Sequence, residues 1–309
     1  MTEANKNKVV KTNLLNTALQ KLSLVEIRII QLAIIDARET NTGLSTEKPL
    51  RIEARRYAEA FATSNSNAYR QMKEAETTLF ERQFTLMIDG KPKKSRWLQD
   101  VVYLDSEGAI ELAFTRTVVE GISRIDGAVD FFTSYLLSQT ATLNSTYSVR
   151  LYELLTQWRN AKNIPTFEVN ILRGQLGVEP KDYSRMYDFK RRILDAAIKE
   201  ITAKTDSDIT YEQVKKGKAI TGFTFTFKKK KEPKQIAIAN DNGYLKMTDS
   251  QIKLFSNKLA ALSELGSNAP IGASVSDYAA IIANELRDTS QQQKYHKYLS
   301  KVGYQQKIK

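Results

Sequence analysis

The stretch YDFKRRILDAAIKEIT, residues 187–202, decides how the rest of the chain is read. Phe189, Ile193, Leu194, Ala197, Ile198 and Ile201 share one arc of a helical wheel, which predicts an amphipathic helix with that arc against a core. Arg185, Asp188, Arg191, Arg192, Asp195 and Lys199 fall on the opposite arc, while Lys190 sits awkwardly within the apolar one. Lys190, Arg191 and Arg192 thus gather near the helix start, the end at which the backbone dipole favours negative charge. Either that face is merely solvated, as charge runs usually are, or an external anion supplies the missing charge.

The neighbouring segments favour the external anion. Downstream, DITYEQVKKGKAITGFTFTFK (208–228) reads as a hairpin: Phe223, Phe225 and Phe227 alternate with Thr224 and Thr226, and KKGK sits at the tip. Upstream lie a helix in STYSVRLYELLTQWRNAK (145–162), a short helix in VNILRGQLGV (169–178) and the turn GVEPKDYS (177–184). Three helices followed by a basic hairpin is the order of a winged helix.

The same order occurs earlier in the chain. LSLVEIRIIQLAIIDAR (22–38) carries the capping box Ser23/Glu26 and apolar residues at helical spacing. EARRYAEAFA (53–62) predicts a second helix, TSNSN (63–67) a turn, and AYRQMKEAETTLFER (68–82) a third helix. Strands are expected over 84–88, 97–104 and 109–114, the first two separated by the basic loop GKPKKSR. From Phe131 to Lys162 the pattern reads as helix. Past KKKKEPKQ (228–235), where Pro233 interrupts regular structure, two tail helices are expected in DSQIKLFSNKLAALSEL and SDYAAIIANELRD, with Thr248 and Gln251 capping the first. Beyond Thr289 helix is expected with little packing, and Tyr244, Phe255 and Tyr278 read as residues of a small core. The fold class is therefore α+β: two tandem winged-helix domains, 1–140 and 141–231, followed by a mostly helical C-terminal tail, 232–309.

Charge follows this division. Of 309 residues, 47 are Lys or Arg and 35 are Asp or Glu, a net of +12. Residues 150–231 hold 18 basic against 10 acidic side chains, a net of +8, whereas residues 1–149 hold 19 against 18. So concentrated an excess points to a polyanion bound by the second domain. There, arginines on an exposed helix face can pair with guanine, and a carboxylate can accept from cytosine.

Composition also narrows the chemistry. Cysteine is absent and His296 is the single histidine, so thiolate sites, histidine-clustered metal sites and serine–histidine triads lack their parts. Neither Gly90-Lys91 nor Gly217-Lys218 has the upstream glycine of a Walker A loop. His296 reads as a half-exposed residue of a terminal helix. No apolar run is long enough for a membrane span, and the polar start MTEANKNKVVKTN lacks a secretory core, which suggests a cytoplasmic protein. No catalytic residue, metal or cofactor is expected.

FKRRILDAAIKEI (189–201) resembles the signature helix of the replication initiator (Rep) proteins of iteron-controlled, theta-replicating plasmids. STYSVRLYELLTQW (145–158) resembles the helix that opens their second winged-helix domain, and LSLVEIRIIQLAI (22–34) the first helix of their N-terminal domain. The resemblance covers roughly residues 10–230. Family members have a proline after the aspartate; Ala196 stands there, which predicts a straighter helix. The resemblance implies monomers bound to directly repeated origin sites, each domain meeting a successive major groove. It also implies dimers, formed mainly through the first domain, that repress their own promoter at an inverted repeat, and origin opening with host initiator and helicase proteins.

On this reading DNA contacts are expected from Arg185, Asp188, Lys190, Arg191, Arg192 and Lys199 on the readout helix. Lys215, Lys216, Lys218, Lys228 and Lys229 on the hairpin would join them. The first domain would add Arg70 and Lys73 from its third helix, and Lys91, Lys93, Lys94 and Arg96 from its basic loop. A rolling-circle initiator is excluded because its metal site needs paired histidines. A winged-helix repressor without origin function remains the alternative, distinguished by whether its sites are tandem repeats beside an AT-rich segment. An RNA-binding or scaffolding role fits the groove-facing helix less well.

Overall fold

The computed structural model describes residues 7–123, 131–161, 163–230, 247–266, 268–270, 273–288 and 291–304. The chain divides into two compact units that part after Lys230.

The first unit begins with β1 (Lys8–Thr12), α1 (Asn13–Asn16) and β2 (Leu19–Gln20), before the long helix α2 (Leu24–Thr40). Both bonds of the α2 capping box are made: the Ser23 hydroxyl accepts from the Glu26 amide at 3.2 Å, and the Glu26 carboxylate accepts from the Ser23 amide at 2.6 Å. Next come β3 (Leu50–Glu53), α3 (Ala54–Phe61), α4 (Asn65–Glu81), β4 (Gln83–Ile88), β5 (Lys91–Arg96), β6 (Leu98–Leu104) and β7 (Ala109–Phe114). The segment closes with α5 (Arg116–Ser123), β8 (Phe132–Leu136) and α6 (Ser138–Ala141).

A second set repeats this wiring. It comprises α7 (Thr146–Thr156), β9 (Phe167–Glu168), α8 (Val169–Leu176), α9 (Met186–Phe189), α10 (Asp195–Lys204), β10 (Ser207–Lys216) and β11 (Ala219–Lys229). In both sets a short strand after the first helix returns to pair, antiparallel, with the last strand of the hairpin: β3 with β7, and β9 with β11. That shared pairing makes each set a winged helix, so the two tandem winged helices expected from the sequence are present.

Several expectations need correction. GKPKKSR is not a loop: Lys91–Arg96 is the strand β5, paired with β4, and the turn is Asp89-Gly90, where φ is positive at both residues. Lysines flanking a two-residue turn extend the hairpin because the ladder satisfies their backbone while the side chains stay in water. The first winged helix therefore carries an inserted hairpin, β4–β5, ahead of its β6–β7 wing. The polar run SNSN is not a turn either; the Ser64 hydroxyl accepts from the Asn67 amide at 3.2 Å and starts α4 at Asn65. Phe132–Leu136 is strand, not helix, because its partner β1 lies far back in the chain, Lys8 facing Leu136.

One apolar core runs through both winged helices, from Ile29, Tyr57 and Trp97 to Leu151, Phe189 and Phe223. Beside it lies a buried ionic cluster on the inner face of α7. Glu153, 2 % exposed, pairs with Lys11 of β1 at 2.9 Å and with Arg150, and accepts from Tyr135 and Gln31. Arg150 donates to the carbonyl of Asn16 at 2.9 Å, and Asn16 donates to that of Glu153 at 3.0 Å. The N-terminal segment is thereby fastened to the first helix of the second winged helix. Gly177, at φ +79°, ends α8 against this segment; a Cβ there would stand 2.9 Å from the Gln20 carbonyl oxygen.

Burial pushes the Glu153 carboxyl up, but Lys11, Arg150 and the Tyr135 and Lys11 hydrogen bonds outweigh it and hold the group at about 2, below its ordinary 4.5. A depressed folded-state pKa means stability present above about pH 4.5 and lost as pH falls toward 2. Denaturant melts of wild type and Glu153→Gln across that window should show a steep acid-side decline in the former that is shallower in the latter.

The second unit holds α11 (Asp249–Ala260), α12 (Ser263–Gly266), α13 (Val275–Glu285) and α14 (His296–Lys301), with a 3-10 turn at Gln292–Tyr295. The Thr248/Gln251 capping box is made. Phe255, Tyr278, Ile282, Tyr295, Leu299 and Tyr304 form its own core. Residues 291–304 are thus packed, against the expectation of little packing past Thr289: the aromatics Tyr295 and Tyr304 outweigh the surrounding Gln and Lys. His296 is half-buried on α14 as expected, 3.4 Å from the Gln292 side chain. Tyr244 and Pro233 lie outside the described residues.

Candidate nucleic-acid interface

Packing of an aromatic cluster fixes the readout helix. Phe189 is fully buried, with the Phe223 ring of β11 at 6.1 Å and the Arg173 guanidinium of α8 at 4.9 Å. Arg173 also donates to the carbonyls of Glu179, Asp182 and Tyr183, clamping the turn that leads into α9. On the other side the Tyr211 hydroxyl of β10 donates to Asp195 at 2.8 Å, and its ring meets that of Phe223 at 5.4 Å. Burial, together with that hydrogen bond, raises the Tyr211 phenol well above its ordinary pKa. Arg173 and Tyr211 are positioning residues that sequence reasoning missed. Only the alternation of the hairpin hinted at Tyr211.

The helix is not straight. Lys190–Leu194 forms a π turn between α9 and α10, in which the Asp195 amide donates to the Lys190 carbonyl. Ala196 removes the proline but not the distortion. Within and beside this wider turn Phe189, Ile193 and Leu194 all remain buried. Lys190, awkwardly placed on a regular wheel, ends half-buried.

The outward face is as the wheel indicated, and its side chains are braced. Arg185 is 79 % exposed and donates to Asp188 at 2.6 Å, while Arg192, 67 % exposed, lies 3.7 Å from the same carboxylate. The Arg191 guanidinium donates to the Tyr187 hydroxyl at 3.1 Å. Lys199 is exposed one turn beyond Asp195. Asp188 holds Arg185 and lies near Arg192, and Asp195 accepts from Tyr211, so each carboxylate braces a neighbouring side chain. An arginine held over a carboxylate presents its remaining donors as a fixed fork, the geometry that suits the O6 and N7 of guanine.

Lys215, Lys216 and Lys218 are exposed at the hairpin tip around Gly217, at φ +61°. Strand rise places them roughly 15 Å along β10 from Tyr211. Lys228 and Lys229 are exposed at the far end of β11.

The first winged helix differs. Arg70 pairs with Glu74 at 3.2 Å, and Lys73 with Asp105 at the tip of the β6–β7 wing. Lys91, Lys93 and Lys94 are exposed along β5, while Arg96 pairs with Glu81 at 3.5 Å and packs on the Phe80 ring at 5.5 Å. Its candidates are spread over two elements, and on α4 they are already neutralised. Among the described residues no group of three or more His, Cys, Asp or Glu is placed to hold a metal ion, and no helix is long and apolar enough to cross a membrane.

Two winged helices with a braced arginine face and a lysine-tipped hairpin on the second define a nucleic-acid-binding architecture of the helix-in-groove type. The chain belongs to the family of replication initiator (Rep) proteins: residues 8–156 match "Initiator Replication protein, WH1" and residues 168–227 match "Initiator Rep protein, WH2". It is 29 % identical over 256 residues to the PI protein of Escherichia coli, covering 72 % of this chain and 83 % of that protein. An uncharacterized 27.6 kDa protein of Escherichia coli is 24 % identical over 243 residues, covering 74 % of this chain and 97 % of its own. Among solved structures, the Pi initiator protein in complex with iteron DNA is similar at 28 % identity with a TM-score of 0.58, covering 72 % of this chain and 97 % of that one.

Proposed function

We propose that this protein initiates plasmid replication by binding directly repeated double-stranded origin DNA, without altering that DNA covalently. The braced arginine face of the readout helix carries the reading, and the iteron complex of the similar Pi initiator supports it. Arg185, Arg191 and Arg192 contact base edges, oriented by Asp188 and Tyr187, with Lys190 and Lys199 at the flanks of the groove. Lys215, Lys216, Lys218, Lys228 and Lys229 contact phosphates. In the first winged helix Lys91, Lys93, Lys94 and Arg96 follow the backbone, and Arg70 and Lys73 join once DNA displaces their carboxylate partners.

The division of labour follows the domains: residues 141–231 read sequence, and residues 1–140 add backbone contacts and dimerise. The monomer occupies origin repeats, the dimer represses the protein's own promoter at an inverted repeat, and host initiator and helicase proteins complete opening.

The test is purified protein with supercoiled origin plasmid and magnesium or manganese, with and without ATP. Intact DNA with no ATP turnover, and permanganate reactivity in an AT-rich segment beside the repeats once host factors are added, is the expected result. Nicking with a covalent protein–DNA adduct would overturn the non-enzymatic reading. A smaller effect checks the phosphate assignment: Lys228→Ala should weaken specific and scrambled duplexes alike. It should also lower the slope of log affinity against log salt by about 0.9, one phosphate's share.

A further inference from the structure

We infer that Tyr187 is a specificity-determining residue that reads a thymine methyl group, an inference that rests on the base-reading role proposed for this helix. Tyr187 is a large aromatic residue left 61 % exposed, although the apolar core beneath α9 and α10 takes in Phe189, Ile193 and Leu194. It stands four residues before Arg191 on the outward face. The Arg191 guanidinium lies 6.0 Å from the centre of its ring and donates to its hydroxyl at 3.1 Å. One pair thus combines a cation with an apolar ring edge, both held in place before any ligand arrives.

A purely electrostatic phosphate contact has no use for that ring. In the major groove the apolar feature that distinguishes one base pair from another is the C5-methyl of thymine, and apolar side-chain contact is how it is read. Arg191 beside it offers hydrogen-bond donors to the neighbouring base, so the pair reads a two-base step containing thymine. Asp188, the next residue in the chain, is engaged by Arg185 instead.

The experiment replaces thymine by deoxyuridine, one position at a time, in a duplex carrying the repeat that the full-length protein protects in footprinting. For the wild-type protein one such position should lose about fourfold in affinity, the worth of one buried methyl group. Tyr187→Ala should bind the thymine and uracil duplexes equally, while Tyr187→Phe, which keeps the ring but not the hydroxyl, should retain the difference. A uracil penalty that persists unchanged in Tyr187→Ala, or no penalty at any position in wild type, would overturn the inference. Arg192→Ala measured on the same duplexes separates this from the wider reading. If it still loses discrimination between specific and scrambled DNA, the helix reads bases and only the Tyr187 assignment has failed.

Discussion

Glu153→Ala should destabilise residues 1–230 by about 3–5 kcal/mol in equilibrium denaturation, because it leaves two buried cations without their counter-ion. Lys11 is 4 % exposed and Arg150 2 %. Burial, with the nearby Arg150 charge, already pushes the Lys11 ammonium down to about 8 in spite of Glu153. Without the carboxylate, Lys11 would shed its proton near neutral pH, which limits the loss, whereas Arg150 cannot. The double replacement Lys11→Met with Glu153→Leu should recover part of the stability. A single-mutant loss below 1 kcal/mol would show that the cluster is solvated in solution and does not fasten the two winged helices.

Arg192→Ala should cost about 1–3 kcal/mol on the specific duplex and leave scrambled DNA nearly unaffected, the signature of a bidentate guanine contact. The side chain is exposed and makes no core contact that its removal would disturb, and its partner Asp188 keeps Arg185. Competition binding at fixed salt measures both duplexes in one experiment. Equal weakening on both would move Arg192 from base reading to phosphate contact.

How much of this was legible in the sequence follows from where the information lies. The readout helix was visible because its apolar arc is local, and both capping boxes because each spans four residues. The hairpin at 207–229 was visible because Phe223, Phe225 and Phe227 alternate. The β1–β8 ribbon was invisible, since five residues of KVVKT carry no period and their partner lies more than a hundred residues away. The π turn was missed for a different reason: a regular helix would place Phe189, Ile193 and Leu194 inward just as well, so the apolar pattern does not distinguish the two. Among the candidate contacts, residue type gave the cations but not their partners. Lys73 looked as available as Lys199, yet Asp105, which occupies it, arrives from a separate hairpin.

On the proposed function, one protein molecule reads directly repeated duplex DNA with both winged helices, which share one compact unit. Hydroxyl-radical footprinting of the full-length protein on its own supercoiled plasmid tests it most directly. Tandem, evenly spaced protections are expected, each covering two successive major grooves on one face of the duplex. Loss of a protection is also expected when five base pairs are inserted between its two grooves, since half a helical turn puts them on opposite faces. Protection confined to a single inverted repeat, with no tandem sites, or binding indifferent to that insertion, would contradict it.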